Sequence, residues 1–186
     1  MRCKDLDKQK RIKDAVVELI LMEGIDGMSI SKIAKRAEVS PATIYVYYNS
    51  KEDMLAEVYQ EYSGRSYDYL LSKIWPEMSA GELIEAIVRG YYDYSYEHEE
   101  VFSFVEQCSR CPTIAGHVSE EACCCDVFDA IHAYQNRGEM IRCSDMALGA
   151  ILFAPVKFLA VNRQTDQIDD RLLEELIQMI KGALLI

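Results

Sequence analysis

The chain lacks an apolar run long enough to cross a membrane. Its longest run, residues 146–161, has 16 residues and includes Pro155 and Lys157, whereas a spanning helix needs about 20 apolar residues. The N-terminal residues are charged and lack the apolar core of a secretory signal peptide. We therefore expect a cytoplasmic protein without membrane association. In that reducing compartment the seven cysteines are expected to be free thiols and not disulfides.

The sequence also lacks any sustained alternation of apolar and polar residues, and it has no internal repeat or low-complexity segment. Alternation is the signal of a half-buried strand, so its absence argues against a sheet. Half of the residues are hydrophobic, which is typical of a folded protein and excludes a chain that is disordered throughout. The apolar positions recur at helical spacing, and the sequence therefore predicts an all-α fold.

Positive charge is scarce, because the net charge is -11. This average argues against nucleic acid as a partner, but it conceals an asymmetry. Residues 1–51 carry ten Lys and Arg against seven Asp and Glu, while residues 52–186 carry ten against 24. The difference indicates a basic N-terminal module with a task of its own.

Capping signals divide this N-terminal module into short helices. A first helix is predicted from Leu6 to Glu23, followed by Gly24 as its C-terminal cap. Ser29 is placed to begin a second helix, and Ser40 a third. Two short helices joined by a tight turn predict a helix-turn-helix, whose second helix enters the major groove of DNA.

The third helix has suitable chemistry for such a groove. Its N-terminal end offers small side chains that permit close approach to base edges, namely Ser40, Pro41, Ala42 and Thr43. Ile44 is expected to face inward. The tyrosines that follow are expected to divide, with Tyr45 and Tyr47 toward DNA and Tyr48 packed against the module.

From Ile30 to Met54 the sequence ISKIAKRAEVSPATIYVYYNSKEDM resembles the DNA-binding signature of the TetR (tetracycline-repressor-like) family of bacterial regulators. The matching positions run without gaps through Ile33-Ala34, Val39-Ser40 and Ser50-Lys51-Glu52. Two positions depart from the family pattern, which usually has glycine where Glu38 stands and often where Ala42 stands. We expect Glu38 to require a strained or altered turn.

The resemblance implies a two-domain, dimeric regulator. A helix-turn-helix domain at 1–50 would bind a palindromic double-stranded operator, and a helical domain at 51–186 would bind an unknown small-molecule effector and form the dimer. Effector binding would then release a repressor from its operator. The DNA-facing positions implied are Ser29, Lys32, Ser40, Pro41, Thr43, Tyr45, Val46, Tyr47 and Lys51.

The C-terminal half predicts two further surfaces. A helix from Ser144 to Asn162 is apolar nearly all round, and the next helix is amphipathic, so a homodimer through these last two helices would cover them. The interface residues predicted are Ile151, Leu152, Phe158, Leu159, Leu173, Leu176, Ile177 and Ile180. Aromatic residues suggest a ligand pocket lined by Tyr62, Tyr69, Trp75, Tyr91, Tyr92, Phe102 and Phe104.

Cysteine and histidine leave alternatives open. Cys108, Cys111 and the run Cys123–Cys125 could serve a thiol- or metal-responsive sensor, although consecutive helical cysteines point about 100° apart. An enzyme pairing Cys111 with His117 would lack a recognisable orienting group or oxyanion site. The helix-turn-helix could also bind a protein instead of DNA. We predict no catalytic residue, no metal and no cofactor.

Overall fold

The computed structural model describes residues 5–115, 125–162 and 170–186. They group into two compact units, one built from residues 5–63 and 100–115 and the other from residues 64–99, 125–162 and 170–186. The helices in these ranges are α1 Leu6–Gly27, α2 Ile30–Arg36, α3 Pro41–Tyr47, α4 Lys51–Leu71, α5 Ala80–Glu97, α6 Glu99–Ser109, α7 Pro112–Ala115, α8 Cys125–Asn136, α9 Asp145–Val161 and α10 Asp170–Leu184.

The described residues confirm the prediction of an all-α fold. Their only extended pairing is an isolated bridge between Met140 and Leu185. Within these ranges no helix is both long enough and apolar enough to cross a bilayer. The predicted division at residue 50 concerns function and stays a prediction.

The predicted N-caps of α2 and α3 are confirmed, whereas the first helix does not end at Glu23 as predicted, because α1 continues to Gly27. Gly24 interrupts α1 with φ of +74°, a left-handed conformation that glycine adopts without steric cost. The Ser29 hydroxyl accepts a hydrogen bond from the Lys32 amide, and the Ser40 hydroxyl accepts one from the Thr43 amide. These bonds satisfy amides that the first turn of a helix leaves without a partner.

The core of the first unit joins α1, α2 and α3 with the beginning of α4 and with α6. Ile12, Ile20 and Ile33 are fully buried in it. Phe104 and Cys108 of α6 are buried in the same cluster, and the Phe104 ring meets the Tyr62 ring edge-on at a centroid distance of 5.5 Å. The folding of the N-terminal helices therefore includes apolar contacts from a helix some 50 residues further along the chain.

The second unit packs α5 against α8, α9 and α10. Ser79 begins α5 with a capping box, in which the Ser79 hydroxyl and the Glu82 carboxylate each accept a backbone amide. Apolar side chains of α5, such as Leu83, Ile87 and Tyr91, are buried, and Tyr91 contacts Phe153 of α9 at 4.9 Å between ring centroids. These contacts form the core of the unit.

Ion pairs fasten α10 to α5. The Lys181 ammonium lies 2.6 Å from the Glu85 carboxylate, and the Arg89 guanidinium lies 2.7 Å from Glu174. The hydrogen bond from Lys181 holds the pKa of the Glu85 carboxyl below its usual range. These pairs lie on the side of α10 that faces α5.

Packing within the chain corrects part of the predicted dimer interface. Five of the eight residues assigned to it are buried in the chain's own core, namely Leu152, Leu159, Leu173, Ile177 and Ile180. They pack inward because α9 and α10 contact each other and α5. Phe158 is exposed, and Ile151 and Leu176 are half-buried, so only these three retain surface for a partner.

Candidate nucleic-acid interface

The turn between α2 and α3 is a Schellman motif. The Val39 amide donates to the Ala34 carbonyl at 2.9 Å, and the Glu38 amide donates to the Lys35 carbonyl at 3.4 Å. Glu38 occupies the left-handed position of the motif, with φ of +55°. Glycine is the usual residue there, so the expectation of a strained turn at Glu38 is confirmed.

Arg11 of α1 supports this turn, and sequence reasoning did not identify it. Its guanidinium Nη1 donates to the Ala37 carbonyl at 3.0 Å and lies 3.8 Å from the Glu38 carboxylate. Both groups belong to the C-terminal end of α2, 26 and 27 residues away in sequence. No local pattern predicts such a contact, because it depends on how α1 packs against α2.

Replacing Glu38 with glycine should raise the free energy of unfolding by about 0.5–1 kcal/mol. The substitution removes the steric cost of a left-handed side chain, about 1–2 kcal/mol, and part of this gain is offset by the greater backbone entropy of glycine in the unfolded chain. Chemical denaturation followed by circular dichroism measures the change. The matched control is Glu38→Ala, which removes the exposed carboxylate but keeps Cβ, and it should change stability by less than the glycine variant. Equal changes in the free energy of unfolding for the two variants would contradict backbone strain at Glu38.

Helix α3 is oriented by two buried side chains. Ile44 is fully buried and Tyr48, which follows the helix, is 4% exposed. Both predictions, Ile44 inward and Tyr48 packed against the module, are confirmed. Burial, together with the nearby Glu57 carboxylate, raises the pKa of the Tyr48 hydroxyl well above its ordinary value, so this tyrosine stays neutral.

The opposite face of α3 is open. Residues 42, 45 and 46 share one face of a helix, since successive residues are separated by about 100°. Ala42 is exposed, and the exposed fractions of Tyr45 and Val46 are 56% and 59%. The face that would enter a groove thus includes Ala42, which the family resemblance leaves out of the DNA-facing set.

Tyr47 lies beside this face and binds the start of α1. Its hydroxyl donates to the Asp5 carbonyl and accepts from the Asp5 amide, both at 3.1 Å. Asp5 is itself the N-cap of α1, because its side chain accepts from the amides of Asp7 and Lys8. Tyr47 therefore ties the end of α3 to the beginning of α1.

The two predicted lysines also hold the module together. The Lys32 ammonium pairs with Glu23 and donates to the Gly27 carbonyl at 2.7 Å. The Lys51 ammonium donates to the Met28 carbonyl at 2.9 Å. These bonds satisfy carbonyls of the last residue of α1 and of the residue that follows it, so a phosphate contact by either lysine would compete with a bond inside the protein.

The remaining predicted DNA-facing residues surround the same helices. Ser29, Ser40 and Pro41 are exposed, and Thr43 is half-buried. The Thr43 hydroxyl lies 2.8 Å from the Ser40 hydroxyl. The contact of each predicted residue with DNA stays a prediction.

The predicted pocket residues do not form one group. Tyr62, Phe102 and Phe104 are buried in the first unit, whereas Tyr69, Tyr91 and Tyr92 belong to the second. Trp75 is 54% exposed, which corrects its assignment to a buried pocket lining. It lies in the connection between α4 and α5.

The cysteine hypothesis gains no support from the described residues. Burial raises the pKa of the Cys108 thiol to about 12, and the neighbouring Cys111 acts in the same direction, so the reactive thiolate is disfavoured. Across residues 5–115, 125–162 and 170–186, no three His, Cys, Asp or Glu side chains converge as a metal site requires. His117, Cys123, Cys124 and the side chain of Cys125 lie outside the described part of the chain.

The family model described as bacterial regulatory proteins, tetR family, matches residues 12–58. The match covers α1 from Ile12, the helix-turn-helix and the beginning of α4. It therefore contains the turn at Glu38 and the exposed face of α3.

Relatives of known name agree with this match. The chain is 34% identical over 90 residues to the fatty acid metabolism regulator protein of Bacillus subtilis, an alignment covering 46% of each. It is also 30% identical over 88 residues to the HTH-type transcriptional regulator BetI of Escherichia coli. The aligned part of the chain thus spans about half the length of the curated relatives it matches.

Solved structures share the fold over nearly the whole chain. A TetR family transcription regulator from Marinobacter aquaeolei covers 100% of this chain and 99% of its own, with a TM-score of 0.78 and 23% identity. FadR from Bacillus subtilis, solved in complex with stearoyl-CoA, covers 92% and 96%, with a TM-score of 0.71 and 22% identity. At these identities the likeness concerns the fold.

Proposed function

We propose that this chain, which belongs to the TetR family of bacterial regulatory proteins through its N-terminal domain, is a DNA-binding transcriptional regulator and not an enzyme. The observation that carries the proposal is the helix-turn-helix of residues 30–47, with Ile44 buried behind α3 and Ala42, Tyr45 and Val46 exposed in front of it. A helix exposed in this way fits the major groove, which admits one α-helix. Such a regulator would work in the cytoplasm.

The partner we propose is a double-stranded, near-palindromic operator bound by a homodimer. A two-fold dimer places two identical helices on two half-sites, so the symmetry of the site follows from that of the protein. The acidic balance of residues 52–186 supports binding through the N-terminal unit, because a carboxylate-rich surface repels phosphates. Release of a repressor by an effector is the mode of control we propose.

A long-chain acyl-CoA is the first effector class to test. The supporting observations are the name of the Bacillus subtilis relative, a fatty acid metabolism regulator, and the stearoyl-CoA bound to the FadR structure. An effector reduces DNA affinity only if it prefers the conformation that binds DNA weakly, and each tenfold change requires about 1.4 kcal/mol of differential affinity.

The proposal is tested by selecting DNA from a bacterial genomic library with the full chain, followed by footprinting at fixed salt. We expect a protected, near-palindromic site, because phosphate contacts alone would give affinity without sequence preference. If no sequence is enriched over repeated rounds, the regulator proposal is wrong.

Titration of the complex with stearoyl-CoA, with free CoA as the control, then tests the effector. Dissociation of the complex by the acyl form alone supports an acyl-CoA effector, and an unchanged complex rejects it.

A further inference from the structure

We propose that the exposed face of α3 recognises thymine methyl groups, so that the base pairs beneath the middle of this helix are A·T pairs. The inference rests on the proposed function, because it names the bases that the DNA-binding helix reads. It concerns sequence preference, which neither the fold nor the family match determines. Three properties of α3 lead to it.

The first property is what the side chains of α3 cannot do. The helix runs from Pro41 to Tyr47 with the sequence PATIYVY, which contains no charged and no carboxamide side chain. Two-bond contacts to the paired acceptors of guanine are made by arginine or lysine, and those to the donor and acceptor of adenine by asparagine or glutamine. No residue of α3 can form either of these two-bond contacts.

The second property is what lies at the centre of the open face. Ala42 and Val46 are one turn apart on it, both exposed, and they present only methyl groups. Thymine carries the one methyl group among the four bases in the major groove. Contact between these groups removes apolar surface from water on both sides, whereas the same alkyl groups over a guanine or cytosine edge would cover polar atoms without a hydrogen bond.

The third property is that the hydroxyl groups near this face cannot by themselves specify one base. The Thr43 hydroxyl lies 2.8 Å from that of Ser40, which also accepts the Thr43 amide at 3.1 Å. Tyr45 is 56% exposed and retains a hydroxyl at its edge of the face. A hydroxyl both donates and accepts, so it bonds to several bases and discriminates among them weakly. The methyl groups therefore carry the discrimination made by α3.

The inference is tested by replacing thymine with uracil, which pairs in the same way and lacks only the methyl group. The full chain first selects its site from a random-sequence duplex library at fixed salt. Each dT of the selected site is then replaced singly by dU, and the dissociation constant is measured by fluorescence anisotropy. We expect at least one position in each half-site to lose about 4-fold in affinity, the value that corresponds to one buried methyl group.

A variant identifies the side chain that makes the contact. Val46→Ala shortens an exposed residue, so the fold should be unchanged, and the ratio of dU to dT dissociation constants at the sensitive position should fall from about 4 to near 1. Met22→Ala is the matched control, since Met22 is 68% exposed on α1, and it should keep the ratio of the wild-type chain.

The outcomes separate the inference from the function on which it rests. Thymine recognition would be overturned if the enriched site contains no dU-sensitive position. It would also be overturned if replacing guanines beneath α3 with 7-deaza-dG lowers the affinity of the half-sites. In both cases the proposal of a DNA-binding regulator would stand. A dU-sensitive position whose ratio is unchanged in Val46→Ala and in Ala42→Gly would also overturn thymine recognition. Failure to enrich any sequence would overturn both proposals together.

Discussion

Replacing Phe104 with alanine should lower the free energy of unfolding of the N-terminal unit by about 3–5 kcal/mol. Phe104 is fully buried, and removing a buried phenyl ring loses its transfer free energy and leaves a cavity that the surroundings fill only in part. Its edge-on contact with Tyr62 is lost as well. A loss of this size is a large fraction of the 5–15 kcal/mol that stabilises an ordinary domain.

The effect should reach the helix-turn-helix although Phe104 lies on α6. Ile20, Ile33 and Ile44 belong to the same buried cluster, so a cavity beside them weakens the packing that positions α3. Denaturant unfolding by circular dichroism measures the loss. Hydrogen exchange of amides in residues 30–47 should accelerate together with that of α6, which shows that they open as one cooperative unit.

Tyr45→Ala is the matched control for this experiment. It also truncates an aromatic residue in the same unit, but Tyr45 is 56% exposed, so stability should change by no more than about 0.5 kcal/mol. The prediction that α6 and the helix-turn-helix share one core is wrong if Phe104→Ala lowers the free energy of unfolding by less than about 1 kcal/mol. It is also wrong if hydrogen exchange accelerates in α6 while residues 30–47 are unaffected.

Replacing Phe158 with glutamate should weaken the proposed homodimer by at least 100-fold. Phe158 is 67% exposed on α9, and Ile151, Ala154 and Val161 continue the same apolar stripe at helical spacing. Burying a phenylalanine is worth about 1.5–3 kcal/mol, and a two-fold interface repeats the change on both subunits. The combined loss of about 3 kcal/mol or more corresponds to the expected factor.

Sedimentation velocity over a range of protein concentrations measures this change. The substitution lies on the surface of the single chain, so the helical circular dichroism signal should be retained while the mass shifts from dimer to monomer. Met22→Glu is the control, because it places the same charge on an equally exposed apolar residue of α1 and should leave the mass unchanged. A Phe158→Glu variant with the dimer constant of the wild-type chain would rule out an interface through α9.

Local signals in the sequence predicted the boundaries of helices well. Ser29, Ser40, Ser79 and Ser144 each begin a helix by accepting an amide of its first turn. A cap needs only residues within three positions of itself. Gly24 likewise acts through its own backbone, but it interrupts α1 and does not end it, since the helix continues to Gly27. The inward position of Ile44 was predictable for the same reason, since helical spacing alone opposes it to the exposed face.

Contacts between distant residues were not predictable in this way. Arg11 reaches the end of α2, and Tyr47 binds the backbone of Asp5, 42 residues earlier. The phosphate role implied for Lys32 and Lys51 gave no indication that their ammonium groups bond to the carbonyls of Gly27 and Met28, where α1 ends. Each contact depends on the angle at which helices pack, and a periodic pattern specifies a face without specifying what covers it.

The sequence by itself determined the helical class, the helix-turn-helix and the uncharged surface of α3, because capping, periodicity and residue type act locally. Only the tertiary structure decided which apolar residues are covered by the chain and which remain for a partner. Leu152 and Phe158 are equally apolar and lie on one helix, yet the first is fully buried and the second is exposed. The difference arises because α5 and α10 cover one side of α9, and burial depends on neighbours that are distant in sequence.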